Sequence, residues 1–414
     1  MEEWKEYKLG ELSKESGSYG IGASAVPYNP ALYTYLRITD INDDGTLNKS
    51  GLMSVDDENA DKYLLKPNDI VFARTGNSTG RSYFYDGSDG DLVYAGFLIK
   101  FSLDESIVNP RIMKYYTHSK PYYDWVQSFD TGATRGNINA KTYASMPIVL
   151  PSRPTQDRLV EVLKSLDDKI EVNRRINENL EQQAQALFKS WFVDFDPFKD
   201  GEFVESELGM IPKGWRVMSL NEVCIKITDG SHYSPKDNPL GTIPMLSVKD
   251  MMHNVFDYSS CKKIDEEEFL KMKANDCVPL KNDILVAKDG SYLKEIFICN
   301  EEIKQALLSS IAIFRPNSHV IYPELMLQML RLPRVKKDVG DNYVSGSALP
   351  RIVLKDFKKY SCVVAPIEIQ NKLIGIMHSI NECIHNNEQE SRRLATLRDT
   401  LLPRLMSGEI RVDE

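Results

Sequence analysis

"SLDDKIEVNRRINENL", Ser165 to Leu180, decides the fold. Its apolar residues step by four and three, which lines them along one face of a helix. Asn173 stands in that face where a leucine belongs. "SINECIHNNEQESRRL", Ser379 to Leu394, repeats the pattern with Asn387 at the same place, 214 positions later. Followed outward, the first seam holds Leu159, Leu163, Leu166, Ile170, Asn173, Asn177, Leu180, Ala184, Leu187 and Trp191. The second holds Leu373, Met377, Ile380, Ile384, Asn387, Ser391, Leu394, Arg398, Leu401 and Leu405. Both are heptad helices with polar middles.

Two such helices are expected to pair antiparallel, with Asn173 and Asn177 facing Asn387 and Ser391. The chain between them is long enough for the return path. A slipped register would bury an amide against leucine at a cost of about 1–3 kcal/mol, so the polar layer reads as a register device. A water-filled break in a weaker helix pair is the other reading. Gly375 weakens the start of the second helix by about 1 kcal/mol against alanine. Pro403 is expected to interrupt it near its end. Arg398 takes the seam position that the first copy gives to Ala184.

The repeat extends beyond the helices, with a period near 214. "WKEYKLGEL" (Trp4–Leu12) returns as "WRVMSLNEV" (Trp215–Val223), and "YLRITDI" (Tyr35–Ile41) as "MLSVKDM" (Met245–Met251). "KPNDIVFARTG" (Lys66–Gly76) returns as "LKNDILVAKDG" (Leu280–Gly290). "GATRGNINAKTYASMPIVLP" (Gly132–Pro151) matches "GSALPRIVLKDFKKYSCVVAP" (Gly346–Pro366), and Gln156 and Gln370 then open the two helices. Each half is thus a β-rich module followed by a long helix. Short β-branched runs cut by Gly, Asn and Asp mark the strands. The expected class is α+β: two pseudo-repeated mixed α/β modules joined by two long helices in an antiparallel coiled coil. The divisions are 1–150 for the first module and 151–198 for the first helix. A Pro/Gly/acidic linker follows at 199–214, then the second module at 215–365 and the second helix with its tail at 366–414.

Composition narrows the function. The 414 residues carry 51 basic and 60 acidic side chains, a net charge of −9. Residues 1–150 hold 15 basic and 20 acidic groups and residues 201–365 hold 22 of each, so no segment is strongly basic. Non-specific polyanion binding is expected to be weak, while local basic loops still allow specific contact. No apolar run approaches a membrane span, and the acidic start is unlike a signal peptide; a cytoplasmic protein is expected. The six cysteines are scattered without a CxxC pair or nearby histidines, which reads as reduced thiols and no metal.

Two stretches reach a known family. "LPSRPTQDRLVEVLKSLDDKIEVNRRINENLEQQAQALFKSWFVDFDPF" and "APIEIQNKLIGIMHSINECIHNNEQESRRLATLRDTLLPRLMSGEIRV" resemble the two helical regions of specificity subunits of type I restriction–modification systems. "KITDGSHYSP" (Lys226–Pro235) followed by "GTIPMLSVKDM" resembles the opening of a target-recognition domain in the same family. The resemblance covers essentially the whole chain. It implies a non-catalytic subunit that reads a bipartite DNA target through two target-recognition domains. Its implied partners are double-stranded DNA, two adenine-N6 methyltransferase subunits docked on the helices, and restriction/translocase subunits. No cofactor is implied.

The rival readings are an adenine DNA methyltransferase, or a type II-like restriction enzyme, carrying its own recognition domains. "DFDPF" (Asp194–Phe198) lacks the second proline of the methyltransferase base-gripping motif, and "YGIGASA" (Tyr19–Ala25) reads as a turn rather than a cofactor loop. There is no Walker sequence, and "PNDIVFAR" and "KNDILVAK" lack the acid-x-Lys ending of a common nuclease fold. A scaffold using only its coiled coil would have no need of two modules with one frame and unlike loops.

Those loops supply the candidate DNA contacts. "RTGNSTGR" offers Arg74 and Arg81 to guanine or phosphate, with Thr75, Asn77, Ser78 and Thr79 as short donors and acceptors. "TGATRGNINAK" adds Arg135, Asn137, Asn139 and Lys141. Arg37 is a further candidate, or a structural ion-pair partner. The second module offers Lys288, Ser291, Tyr292 and Lys294 in "AKDGSYLK", Ser345, Ser347 and Arg351 in "SGSALPR", and His232 and Tyr233 beside the Asp229-Gly230 turn. The aromatic exit of the first helix, Leu187, Phe188, Trp191, Phe192 and Phe195, either packs onto the second module or is exposed for a methyltransferase subunit.

Overall fold

The computed structural model describes residues 4–129, 136–346 and 348–410. Contacts divide the chain into two compact units, residues 1–169 with 393–414, and residues 170–392. Both boundaries fall inside long helices, α1 (Arg153–Phe192) and α2 (Ile367–Met406), each of 40 residues.

The first unit is built on a four-stranded antiparallel sheet of β1 (Ser18–Tyr19), β2 (Asp69–Ala73), β3 (Ser82–Tyr85) and β4 (Leu98–Ser102), in the order β1-β4-β2-β3. All five residues of "DIVFA" are buried because the sheet is covered on both faces. Side chains alternate across a strand, so Ile70 and Phe72 enter one core and Val71 and Ala73 another. The first core also holds Tyr122, Tyr143, Leu159 and Leu163 of α1, and Leu402 and Leu405 of α2.

The second unit repeats this plan. Its strands β5 (Cys224–Asp229), β6 (Ile284–Ala287), β7 (Ile296–Ile298) and β8 (Ile311–Pro316) run in the order β5-β8-β6-β7. Ile284 and Val286 enter a core with Ala184 and Phe188 of α1 and Leu373 and Met377 of α2; Leu285 and Ala287 enter the opposite one.

The repeated motifs have structural causes. In "KPND" and "LKND", Asn68 and Asn282 sit at φ 76° and 72°, a left-handed conformation that asparagine tolerates. Asp69 and Asp283 then accept from the backbone N–H of Lys66 and Leu280, both at 2.8 Å. Gln156 is buried, accepts from Asn109 N–H at 2.9 Å and donates to the Pro151 carbonyl at 3.0 Å. Gln370 accepts from Tyr322 N–H at 3.2 Å and donates to the Val320 and Ala365 carbonyls at 2.8 Å. Each glutamine ties the start of a long helix to its own module.

Three details differ from expectation. Residues 199–214 hold a hairpin, Phe203–Ser206 with Gly209–Pro212, because the polar stretch closes on a Gly209 turn at φ 96°. The end of the α1 seam shifts: Phe188 and Phe192 are buried and Leu187 and Trp191 only partly so. There α1 packs on the β-module, and a 3.6-residue period replaces the 3.5 of a helix pair. Finally, α2 continues through Pro403, since burial of Leu402 and Leu405 outweighs one lost backbone bond.

The polar layer lies within the second unit. Asn387 Nδ2 donates to Asn177 Oδ1 at 2.8 Å, and Asn173 Nδ2 to Ser391 Oγ at 3.3 Å. As numbers rise along α1 from Asn173 to Asn177, partners fall along α2 from Ser391 to Ile384, so the helices run antiparallel here. Further bonds go to two residues outside the seam: Asn173 Nδ2 to Glu390 Oε2 at 2.8 Å and Asn177 Nδ2 to Glu388 Oε1 at 2.9 Å. Asn173 Oδ1 is buried and receives no hydrogen bond from the described residues. Within the first unit, Arg398 pairs with Asp167 at 2.9 Å, and Lys114 joins the same carboxylate at 2.8 Å.

Candidate nucleic-acid interface

Loops at the ends of the central strands gather the candidate residues, separately in each unit. In the first, Arg74 follows β2 and lies 5.0 Å over the Tyr19 ring, with its Nε 3.5 Å from Asn137 Oδ1. Tyr19 OH accepts from Ala140 N–H at 3.1 Å, and Thr79 Oγ1 donates to the carbonyls of Gly76 at 2.8 Å and Gly136 at 3.0 Å. Arg74, Asn77, Asn137 and Lys141 are therefore brought to one rim, with Asn77, Asn137 and Lys141 exposed and Thr75 half-buried. Gly80 is required there at φ 86°, and a Cβ would fall 2.5 Å from Val126 Cγ1.

Other candidates in this unit are engaged in the fold. Arg37 grips Asp40 at two points, 2.9 and 2.6 Å, and donates to the Gly51 carbonyl at 3.2 Å; the ion-pair reading describes its geometry. Arg81 donates to the Ile41 carbonyl at 3.0 Å and pairs with Asp43 at 2.6 Å. Ser78 is buried. Asn139 caps the short helix Ala140–Ala144, accepting from Thr142 N–H at 2.9 Å. Arg135 lies outside the described residues.

In the second unit, Asp229 ends β5, and its carboxylate takes the Lys288 ammonium and stands 3.3 Å from His232 Nε2. Lys288 is buried, so it is not the exposed cation that its loop position suggests. Sequence alone did not reveal this pairing, which joins residues 59 apart. His232, Tyr233, Ser291 and Lys294 are exposed, whereas Tyr292 is half-buried against the core. Ser345 pairs with Arg351 in a short ladder, and Asp289 bridges to Arg351. Ser347 lies outside the described residues.

The two rims share a frame. Gly20 and Gly230 follow Tyr19 and Asp229; a Cβ on either would fall 2.2–2.5 Å from carbonyl oxygens, at Tyr94 and Ala95 or at Leu307 and Leu308. Arg74 and Lys288 occupy equivalent places, and each meets the residue before its glycine. One pair is a cation over a ring, the other a buried ion pair.

Among the described residues no group of three or more His, Cys, Asp or Glu is placed to hold a metal ion. All six cysteines are free, and burial pushes the thiols of Cys224, Cys299 and Cys362 up to about 12. No helix of the described chain is long and apolar enough to cross a membrane. The aromatic exit of α1 packs within the second unit: Phe192, Phe195 and Phe198 each lie 5.3–5.7 Å from the Trp215 ring.

Comparison with known proteins agrees with this frame. A family model described as the type I restriction modification DNA specificity domain matches residues 1–182 and 212–396. The MjaIX specificity subunit of a type I restriction enzyme from Methanocaldococcus jannaschii is 29% identical over 72% of this chain and 69% of its own length. The HindI specificity subunit from Haemophilus influenzae is 24% identical over 99% of this chain and 100% of its own. The crystal structure of a type I system S subunit from M. genitalium shares the fold with a TM-score of 0.54 at 16% identity, covering 98% of this chain and 96% of that one.

Proposed function

This chain belongs to the type I restriction–modification DNA specificity family, and we propose that its two modules each read one half of a bipartite DNA target. As a specificity subunit it recognises DNA and assembles with other subunits rather than catalysing a reaction. The finer reading assigns residues 1–150 and 215–365 to the two half-sites. Residues 151–198 and 366–414 serve as the helical connection on which two adenine-N6 methyltransferase subunits dock and restriction subunits assemble in the cytoplasm. The observation that carries it is the pair of modules with one strand order and unlike polar rims. A scaffold has no use for that divergence, whereas two different half-sites demand it.

Within this reading Arg74, Asn77, Asn137 and Lys141 contact one half-site. His232, Tyr233, Ser291, Lys294 and Arg351 contact the other. Because the chain is acidic overall, tight binding depends on phosphate contacts added by its partners. The test is co-expression with the neighbouring methyltransferase followed by genome-wide mapping of adenine methylation. A split motif with a fixed spacer is expected. Absence of methylation, together with cofactor-dependent activity of this chain alone, overturns the reading.

A further inference from the structure

Ile138 N–H donates to the Arg74 carbonyl and Ile352 N–H to the Lys288 carbonyl, both at 3.0 Å. These bonds place the preceding residues, Asn137 and Arg351, at equivalent points of the two rims. The side chains there differ in a way that matches base chemistry. Asn137 is exposed, and its Nδ2 donates to no described residue. Arg351 is 54% exposed, with its Nε 3.3 Å from Asp289 Oδ1 and no hydrogen bond from Nη1 or Nη2 to a described residue. That Asp289 oxygen is buried and receives no hydrogen bond from the described residues. Arg315 is held otherwise, gripping Asp283 at two points, both 2.8 Å. A guanidinium that is ion-paired but makes no hydrogen bond to the described residues keeps its two Nη groups for a bidentate partner, and guanine O6 and N7 form such a partner; an amide whose Nδ2 is open and whose Oδ1 meets only Arg74 suits adenine N6 and N7. Thr75 stands where Asp289 does, so the buried acid accompanies the arginine and is absent where the position holds asparagine.

We propose that Asn137 and Arg351 are the equivalent base-contacting positions of the two modules, Asn137 for an adenine and Arg351 for a guanine, with Asp289 as the positioning residue for Arg351. This rests on the two-module reading above and adds the base class that each module requires.

The test uses the complex of this chain with its methyltransferase subunits, assayed by methylation of duplex libraries varied at every target position. Arg351→Ala is expected to remove the requirement for one G·C pair in one half-site. It lowers the rate on the parental site about 5- to 150-fold, leaving the other half-site unchanged. Arg351→Lys keeps the charge but not the fork, and should lose the same requirement while retaining the salt slope. Asp289→Asn should relax that single position, and Asn137→Ala an A·T pair in the other half-site. Co-purification of the complex confirms assembly of each variant. A split target with unchanged requirements in Arg351→Ala overturns the assignment alone, as does a uniform loss over all sequences, which marks a phosphate contact. Unchanged discrimination in Asp289→Asn removes its positioning role. An undivided target for the wild-type complex overturns the two-module reading itself.

Discussion

Asn387 donates its side-chain Nδ2 to Asn177 Oδ1 at 2.8 Å, an amide pair that joins the two long helices inside the second unit. Asn177 in turn donates to Glu388, so removing it leaves two polar groups without their partner. Asn177→Leu should therefore cost about 1–3 kcal/mol in urea unfolding. Replacing Asn173, Asn177, Asn387 and Ser391 together by leucine should instead raise the melting temperature and permit several registers. Disulfide crosslinking between cysteines introduced along the seam reads the register. One crosslink pattern in the all-leucine chain would contradict the register role.

Glu388 gives this layer a pH dependence. Burial raises its carboxyl above the ordinary value near 4.5, although Asn177 and Arg392 oppose the shift. The folded chain thus holds this proton more tightly than the unfolded chain. The contribution to stability is present at low pH and fades as pH rises through the raised value. Glu388→Gln keeps an oxygen for Asn177 without the half-buried charge. Its melting temperature should exceed that of the wild type at pH 7–8, with the difference shrinking toward pH 4. A constant difference across that range would show that Glu388 does not titrate in the folded chain as described.

The glutamine clamps offer a paired test of the repeat. Gln156→Met strands the Asn109 N–H and Gln370→Met the Tyr322 N–H, and each loses carbonyl partners as well. Each should lower stability by about 1–3 kcal/mol in chemical denaturation. A loss confined to one of them would show that the equivalent glutamines do different work.

The repeat and the helix seam were legible because both are periodic, and a period survives the divergence of individual residues. "KPND" and "LKND" could be matched since a left-handed Asn and a turn-closing Asp fix local backbone chemistry. Partners set by tertiary packing left no local mark. Asp229 reaches Lys288 only after β5 and β6 enter one sheet, and Glu388 and Glu390 flank the seam without belonging to its pattern. Arg37 and Asp40 are only three residues apart, yet a strand reading places them on opposite faces. The short 3-10 turn Ile38–Asp40 turns Asp40 back toward the guanidinium.

That distinction between buried and open cations is measurable. Lys288→Ala leaves the Asp229 carboxylate without its main buried partner and should cost about 3–5 kcal/mol of stability. Lys294 is exposed, and Lys294→Ala should change stability by no more than about 0.5 kcal/mol while reducing the salt slope of DNA binding by about 1. Equal stability of the two variants would contradict the burial of Lys288.

The central claim is that each module reads its own half-site, and exchanging one module tests it most directly. Residues 215–360 are replaced by the matching segment of a relative with a different target, and the chimera is co-expressed with the methyltransferase subunits. Mapping of adenine methylation should then show one half-site changed, with the other half-site and the spacer preserved. A change in both half-sites, or in neither, would contradict the account.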